Sequence, residues 1–285
     1  VTITSASHVH GLPGVLSGLS LLSRSIVHVA VPAEVQGVLY RKRFFRTNVW
    51  LNRHFGKFES FAQASAYARR YGSNLVYSLD HRAWLKERHQ LYQHDYPVLL
   101  RLSQMLTEIG PDVHVADVGG SVGVCWYVYS QQVPMPRVRW TVCELPDAVE
   151  AGRLIASERG ERQLEFTTDL IAAIDGADVL LGAGALQFLD ATLADILLRV
   201  PQRPRFLLIN RIPLTRVAGS GYVTLHNTGL SVSPCRVDDE PSFVASIESL
   251  GYRLVDSWQC QGNTLDVPLH DECRLDAFRG FYFRA

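Results

Sequence analysis

Neither sign of charge is in excess: Lys+Arg and Asp+Glu each number 28, and the formal net charge is zero. That balance removes the usual electrostatic case for nucleic acid, whose binding surfaces gather Lys and Arg in surplus. Cysteine is sparse and odd in number. The five (Cys125, Cys143, Cys235, Cys260, Cys273) are scattered and form no C-x-x-C pair. A disulfide scaffold and a zinc ribbon are therefore not expected, and a reducing, cytoplasmic setting is the default reading. No apolar run is long enough to span a bilayer. The first residues are mildly apolar but broken by Gly, Pro, Ser and His, without a basic lead-in, so they do not read as a signal peptide. His8 and His10 stand close together with no nearby acid or Cys, so no metal site is expected.

What is present has two rhythms that meet at Gly110-Pro111. Residues 1–110 read as mostly helical. "FESFAQASAYARRYG" carries apolar and small residues at helical spacing and closes on Gly72, and "YPVLLRLSQMLTEIG" has Pro97 near its start and Gly110 as a stop. "SLDHRAWLKERHQLYQHD" between them reads as helix. "YRKRFFRTNVW" mixes basic and aromatic residues, read as a solvated helix face or an oligomer contact. From 111 to 285 short β-like runs alternate with helical ones. "HVADV", "VRWTVCE", "LEFTT", "ADVLLGAG" and "RFLLINRI" read as strands, several of them continuously apolar as buried parallel strands are. The expectation is a doubly wound α/β fold with a mainly parallel seven-stranded sheet. "YRLVDSWQ" and "FRGFYFRA" close it as an antiparallel pair.

The stretch "DVGGSVG" follows the first of these strands. A dinucleotide fingerprint starting at Gly119 needs glycines where the chain has Ser121 and Val124, and no Gly-Lys-Ser/Thr completes a P-loop. What remains is Asp117-x-Gly119-Gly120-Ser121-x-Gly123 on a strand-to-helix turn, where glycines allow close backbone approach. Glu144 ends the second strand, placed to accept from the hydroxyls of a ribose, and Leu145 follows it. Asp169 and Leu170 follow the third, where a carboxylate could take an adenine amino group. All lie at the carboxyl edge of the sheet, where open α/β sheets bind ligands.

These residues resemble the class I S-adenosylmethionine-dependent methyltransferases. Asp117, Gly119, Gly120 and Gly123 match the first motif, Glu144 the ribose-binding acid and Asp169 the adenine-side acid. "ADVLLGAGALQFLD", with Gly184, matches the fourth-strand motif. More narrowly, residues from about 55 to 285 resemble an uncharacterised bacterial methyltransferase-like family of polysaccharide and secondary-metabolite gene clusters, through "DVGGSVG", "ALQFL", "LINRIPL" and "GFYFR". The resemblance implies S-adenosylmethionine as cofactor, a small-molecule acceptor in biosynthesis, and an amino-terminal helical lid over the site. A helical extension of this kind would suit a homodimer, with neither membrane nor nucleic acid as partner.

The chain departs from the family in one place. Many small-molecule O-methyltransferases carry a His after the fourth strand; here the position holds Gln187, an amide that can orient but not take a proton near neutrality. Other candidates are Arg211, able to clamp a carboxylate, His226 as a base in the loop beyond the fifth strand, and Tyr96, whose ring could face a sulfonium. Two further readings follow. The cofactor's own amine could attack its γ-carbon, giving azetidine-2-carboxylate and methylthioadenosine, or the chain could bind the cofactor without catalysis.

Overall fold

The computed structural model describes residues 33–45, 53–71, 80–88, 90–110, 112–228 and 231–285. His8, His10, Gly72 and Pro111, and part of the basic-aromatic stretch 40–50, lie outside the described residues. Two compact units part between Arg43 and Phe44. The first contributes helix α1 (Ala33–Phe44). The second holds the described residues from Phe44 onward.

The larger sheet has seven strands: β2 (His114–Val118), β3 (Arg139–Cys143), β4 (Leu164–Thr167), β5 (Val179–Ala183), β6 (Phe206–Ile212), β10 (Arg253–Cys260) and β11 (Phe278–Arg284). Their order is β10-β11-β6-β5-β2-β3-β4. Strands β4, β3, β2, β5 and β6 pair in parallel, and β11 runs antiparallel between β6 and β10. This is the mainly parallel sheet with a reversed strand that the sequence led us to expect.

Alternation along the strands divides the core in two. Val115, Val142, Leu181 and Leu208 pack with helices α4 (Tyr96–Ile109), α5 (Val124–Tyr129) and α6 (Pro146–Arg159). Ala116, Leu180, Leu207, Ile209, Phe281 and Phe283 pack with α7 (Leu170–Ile174), α8 (Leu193–Leu198) and α9 (Glu240–Glu248). Each fully buried large side chain contributes about 1.5–3 kcal/mol. Local signals set the helix ends. Asp169, Thr192 and Asp239 cap α7, α8 and α9 through their side chains, and Gly160 closes α6 in the left-handed region.

A second sheet departs from the sequence reading. The predominantly helical first third contains strand β1 (Arg53–Phe58), followed by α2 (Phe61–Arg70) and α3 (His81–Glu87). The stretch after β6, expected as loop, forms β7 (Leu214–Thr215), β8 (Tyr222–Asn227) and β9 (Val232–Asp239). The order is β1-β8-β9-β7. His226 is thus a strand residue, paired across from His54. Helix α2 packs on β8 and β9. Strand β9 packs on the short 3-10 turn Leu186–Phe188 that follows β5, and the Arg236 guanidinium donates to the Asp190 carbonyl. The small sheet therefore sits beside the carboxyl edge of the large one.

Candidate functional site

The glycine loop leaves β2 through Asp117, which is fully buried. Its Oδ2 accepts a hydrogen bond from Trp140 Nε1 at 3.1 Å, and its Oδ1 is buried without a partner. Burial, reinforced by the nearby Glu144 charge, pushes the carboxyl up to about 7 against the pull of the Trp140 bond. Gly119 lies at φ +72°, and a Cβ there would come within 2.1 Å of the Ala185 side chain. At Gly120 a Cβ would sit 2.3 Å from Asp117 Oδ2. These glycines bring the loop down onto the turn after β5 and onto the Asp117 carboxylate.

Glu144 is drawn to the same loop. Its carboxylate accepts from the backbone N–H of Leu145 at 2.6 Å, and the N–H of Ser121, itself at φ 54°, lies near enough to favour its charged form. Burial raises its pKa, with those two donors opposing. Leu145 is 55 % exposed beside it, an apolar side chain left uncovered at the edge. Asp169 Oδ1 accepts from Ile171 N and Ala172 N, each at 3.0 Å, so one oxygen is committed to capping α7 and the other faces outward on an exposed residue.

A second group of residues gathers at the ends of β5 and β6. Gln187 is buried, with Nε2 donating to Gly184 O at 3.0 Å and Oε1 left without a partner. Its neighbour Phe188 stacks on His226, ring centroids 5.7 Å apart, and His226 stacks in turn on His54. Burial pushes His226 down to about 4, so it is neutral at neutral pH. Burial and the His226 charge hold His54 well below the ordinary imidazole range. Arg211 Nη2 donates to Ala183 O at 2.6 Å beside Gly184, which lies at φ +82°.

Tyr96 does not join them. It begins α4 and is 61 % exposed. The residues of that segment that turn inward are His94 and Asp95, both buried. Asp95 Oδ1 accepts from the Tyr129 hydroxyl at 2.9 Å, and Oδ2 from Tyr92 N at 2.9 Å. Strand β10 and β6 pack against this short turn. Helix α4 itself is seated in the core through Val98, Leu99, Leu102 and Met105.

The structure therefore brings Asp117, Gly119, Gly120, Ser121 and Glu144 together in one cluster, and Gly184, Gln187, His226 and Arg211 around the neighbouring strand ends. His54, Phe188 and Trp140 lie against these residues and were not anticipated. His54 carried no usable signal, because its placement depends on pairing with His226, 172 residues further along the chain, whereas Phe188 and Trp140 lay next to residues already singled out. All five cysteines are buried free thiols. Among the described residues no cluster of three metal-binding side chains occurs, and no helix is long and apolar enough to cross a membrane.

No family model matches the chain, and no curated protein matches it. Solved structures do match. The chain is similar to a mitomycin 7-O-methyltransferase at 21 % identity and TM-score 0.45, over 79 % of this chain and 60 % of that one. It is similar to the 1,6-didemethyltoxoflavin N1-methyltransferase of Burkholderia thailandensis, solved with S-adenosylhomocysteine, at 17 % identity and TM-score 0.41, over 68 % and 90 % of the two chains. A glycopeptide N-methyltransferase complexed with S-adenosylmethionine matches at 10 % identity and TM-score 0.44, over 64 % and 91 %. Each of the three is a methyltransferase.

Proposed function

We propose that the chain is an S-adenosylmethionine-dependent methyltransferase acting on a small molecule. The observation that carries this is the joining of Asp117, the Gly119-Gly120 turn and Glu144 at the carboxyl edge of a seven-stranded sheet with one reversed strand. The residues suit the cofactor's parts. Asp117 Oδ1 is a buried acceptor with no donor, fit for an ammonium. Glu144 offers carboxylate oxygens where ribose hydroxyls would donate, and Leu145 offers an uncovered apolar surface for a base.

When bound, S-adenosylmethionine supplies a methyl on a positively charged sulfur, already a good leaving group. The chain's part is then to hold an acceptor in line, exclude water and take up a proton where the acceptor carries one. Gln187 Oε1 is positioned to accept from an acceptor's O–H or N–H, with the amide held by Gly184 O. His226 is the candidate proton acceptor: neutral at neutral pH and packed beside the Gln187 turn through Phe188. The small sheet would form the acceptor's side of the cleft.

Calorimetric titration with S-adenosylmethionine tests the cofactor half of this reading. Saturable binding that weakens about tenfold or more in Glu144→Gln is expected, from the loss of charge-assisted hydrogen bonds. No binding to the unaltered chain would remove the reading.

A further inference from the structure

Arg211 is a half-buried cation whose backbone and side chain are both unusual. Its φ is +58°, in the left-handed region that side-chain-bearing residues rarely occupy. The cause is a bulge. Strand β11 pairs Arg279 with Ile212 and Phe281 with Ile209, so Asn210 and Arg211 together face the single Gly280. A bulge of this kind re-aims a side chain that strict alternation would send to the other face. The guanidinium is then fixed by one bond, Nη2 to Ala183 O, while Nε is buried without an acceptor. No carboxylate pairs with Arg211 among the described residues. Asp117 feels the Arg211 charge, but its one bonded oxygen accepts from Trp140 and not from the guanidinium.

Asn210, the other bulged residue, is fully buried. Its Oδ1 accepts from Trp258 Nε1 at 3.1 Å and from Cys260 Sγ at 3.2 Å, which fixes the amide's orientation. Nδ2 is left as a buried donor with no partner. Burial lowers the His94 pKa, the Asp95 carboxylate 3.9 Å from Nε2 opposes it, and the nearby Arg211 charge lowers it further. The His94 Nε2 is also without a hydrogen bond. Buried charges and donors are costly unless matched. These three supply one full positive charge and a small set of donors, which suits one carboxylate and not a phosphate dianion.

We propose that Arg211 and Asn210, with His94 beside them, form a carboxylate-binding site at the end of β6. This rests on the reading of the chain as an S-adenosylmethionine enzyme. The carboxylate belongs either to the methionine arm of the cofactor or to the acceptor, and the two sources are separable.

The test is calorimetric titration of the unaltered chain and Arg211→Gly with S-adenosylhomocysteine and with 5′-methylthioadenosine, which lacks the carboxylate. Glycine accepts the φ at this position without strain, so Arg211→Gly should melt no lower than the unaltered chain. A fall of about 10- to 100-fold in affinity for S-adenosylhomocysteine alone assigns the cofactor's carboxylate. Unchanged affinity for both, with acetate raising the melting temperature of the S-adenosylhomocysteine complex only when Arg211 is present, assigns the acceptor's. Asn210→Asp should reproduce either result, because it places a negative charge in the site. Equal losses for both ligands, or no change for either together with no effect of acetate, overturns the proposal. If the unaltered chain binds neither nucleoside, the cofactor reading itself has failed instead.

Discussion

His226 of β8 stacks on His54 of β1 with ring centroids 4.5 Å apart and planes within 7° of parallel. The two rings come from paired strands, 172 residues apart in the chain, and Phe188 continues the stack toward Gln187. Burial holds both imidazoles below the ordinary range, and at His54 the facing His226 adds to it. Strand pairing therefore buries a neutral imidazole beside Phe188 and the Gln187 turn.

The pH–rate profile follows from that. His226 is lowered to about 4. A base with this pKa stays in its working form through neutrality, so the acid limb of the rate should fall near pH 4 and not near 6.5. His226→Phe keeps an aromatic ring in the stack but cannot take a proton. If His226 is the base, the rate at pH 7 should drop by about 10²- to 10⁴-fold. An unchanged rate and profile in that variant would remove His226 as the base.

Asp117 gives a stability prediction of opposite sign to the histidines. Its folded pKa is raised to about 7 from 3.8. Between those values the unfolded chain ionises this group while the folded chain does not. The contribution is thus fully present below about pH 4 and is lost as pH rises toward 7. Asp117→Asn removes this term. The variant's melting temperature relative to the unaltered chain should rise as pH goes from 4 to 8, by an amount corresponding to a few kcal/mol. A difference that does not vary with pH would mean that Asp117 is not held protonated by burial.

Gly119 and Gly120 are set by packing as well as by any ligand. Gly120→Ala forces its Cβ into the Asp117 carboxylate, and Gly119→Ala meets the Ala185 side chain while also holding φ +72°. Each should cost about 1–3 kcal/mol in urea unfolding. Loss of cofactor binding in a Gly119→Val variant would therefore be uninformative by itself. Glu144→Gln is the better probe, because it is isosteric and relieves the burial of a charge.

Phe281 measures how far the large sheet depends on its second face. It is fully buried against Phe243 and Phe283. Phe281→Ala should destabilise by about 3–5 kcal/mol in chemical denaturation. A change below about 1 kcal/mol would mean that this face repacks freely.

The parallel sheet was legible because buried strands are written locally: "RFLLIN" and "ADVLLG" are continuous apolar runs ended by turn residues. The glycine loop and Glu144 were legible for the same reason, each lying at the end of such a run. Strand β1 was not. Gly56, at φ +73°, breaks the alternation of "RHFGKF", and the strand it pairs with begins at Tyr222. The β8–β9 hairpin was read as loop because β8 is buried on nearly every residue and so lacks the two-residue rhythm of a half-exposed strand. Tyr96 was singled out over its neighbours by residue type. The buried residues of that segment are His94 and Asp95, which a helical pattern cannot distinguish.

The central claim is transfer of the cofactor's methyl group, and the products decide it. The purified chain is incubated with methyl-labelled S-adenosylmethionine, with and without a small-molecule extract, and the nucleoside products are identified by mass spectrometry. S-adenosylhomocysteine and label in a small molecule are expected, both dependent on the extract and both lost in Asp117→Ala and Glu144→Ala. Methylthioadenosine formed without extract, or no conversion of the cofactor by a chain that binds it, would contradict it.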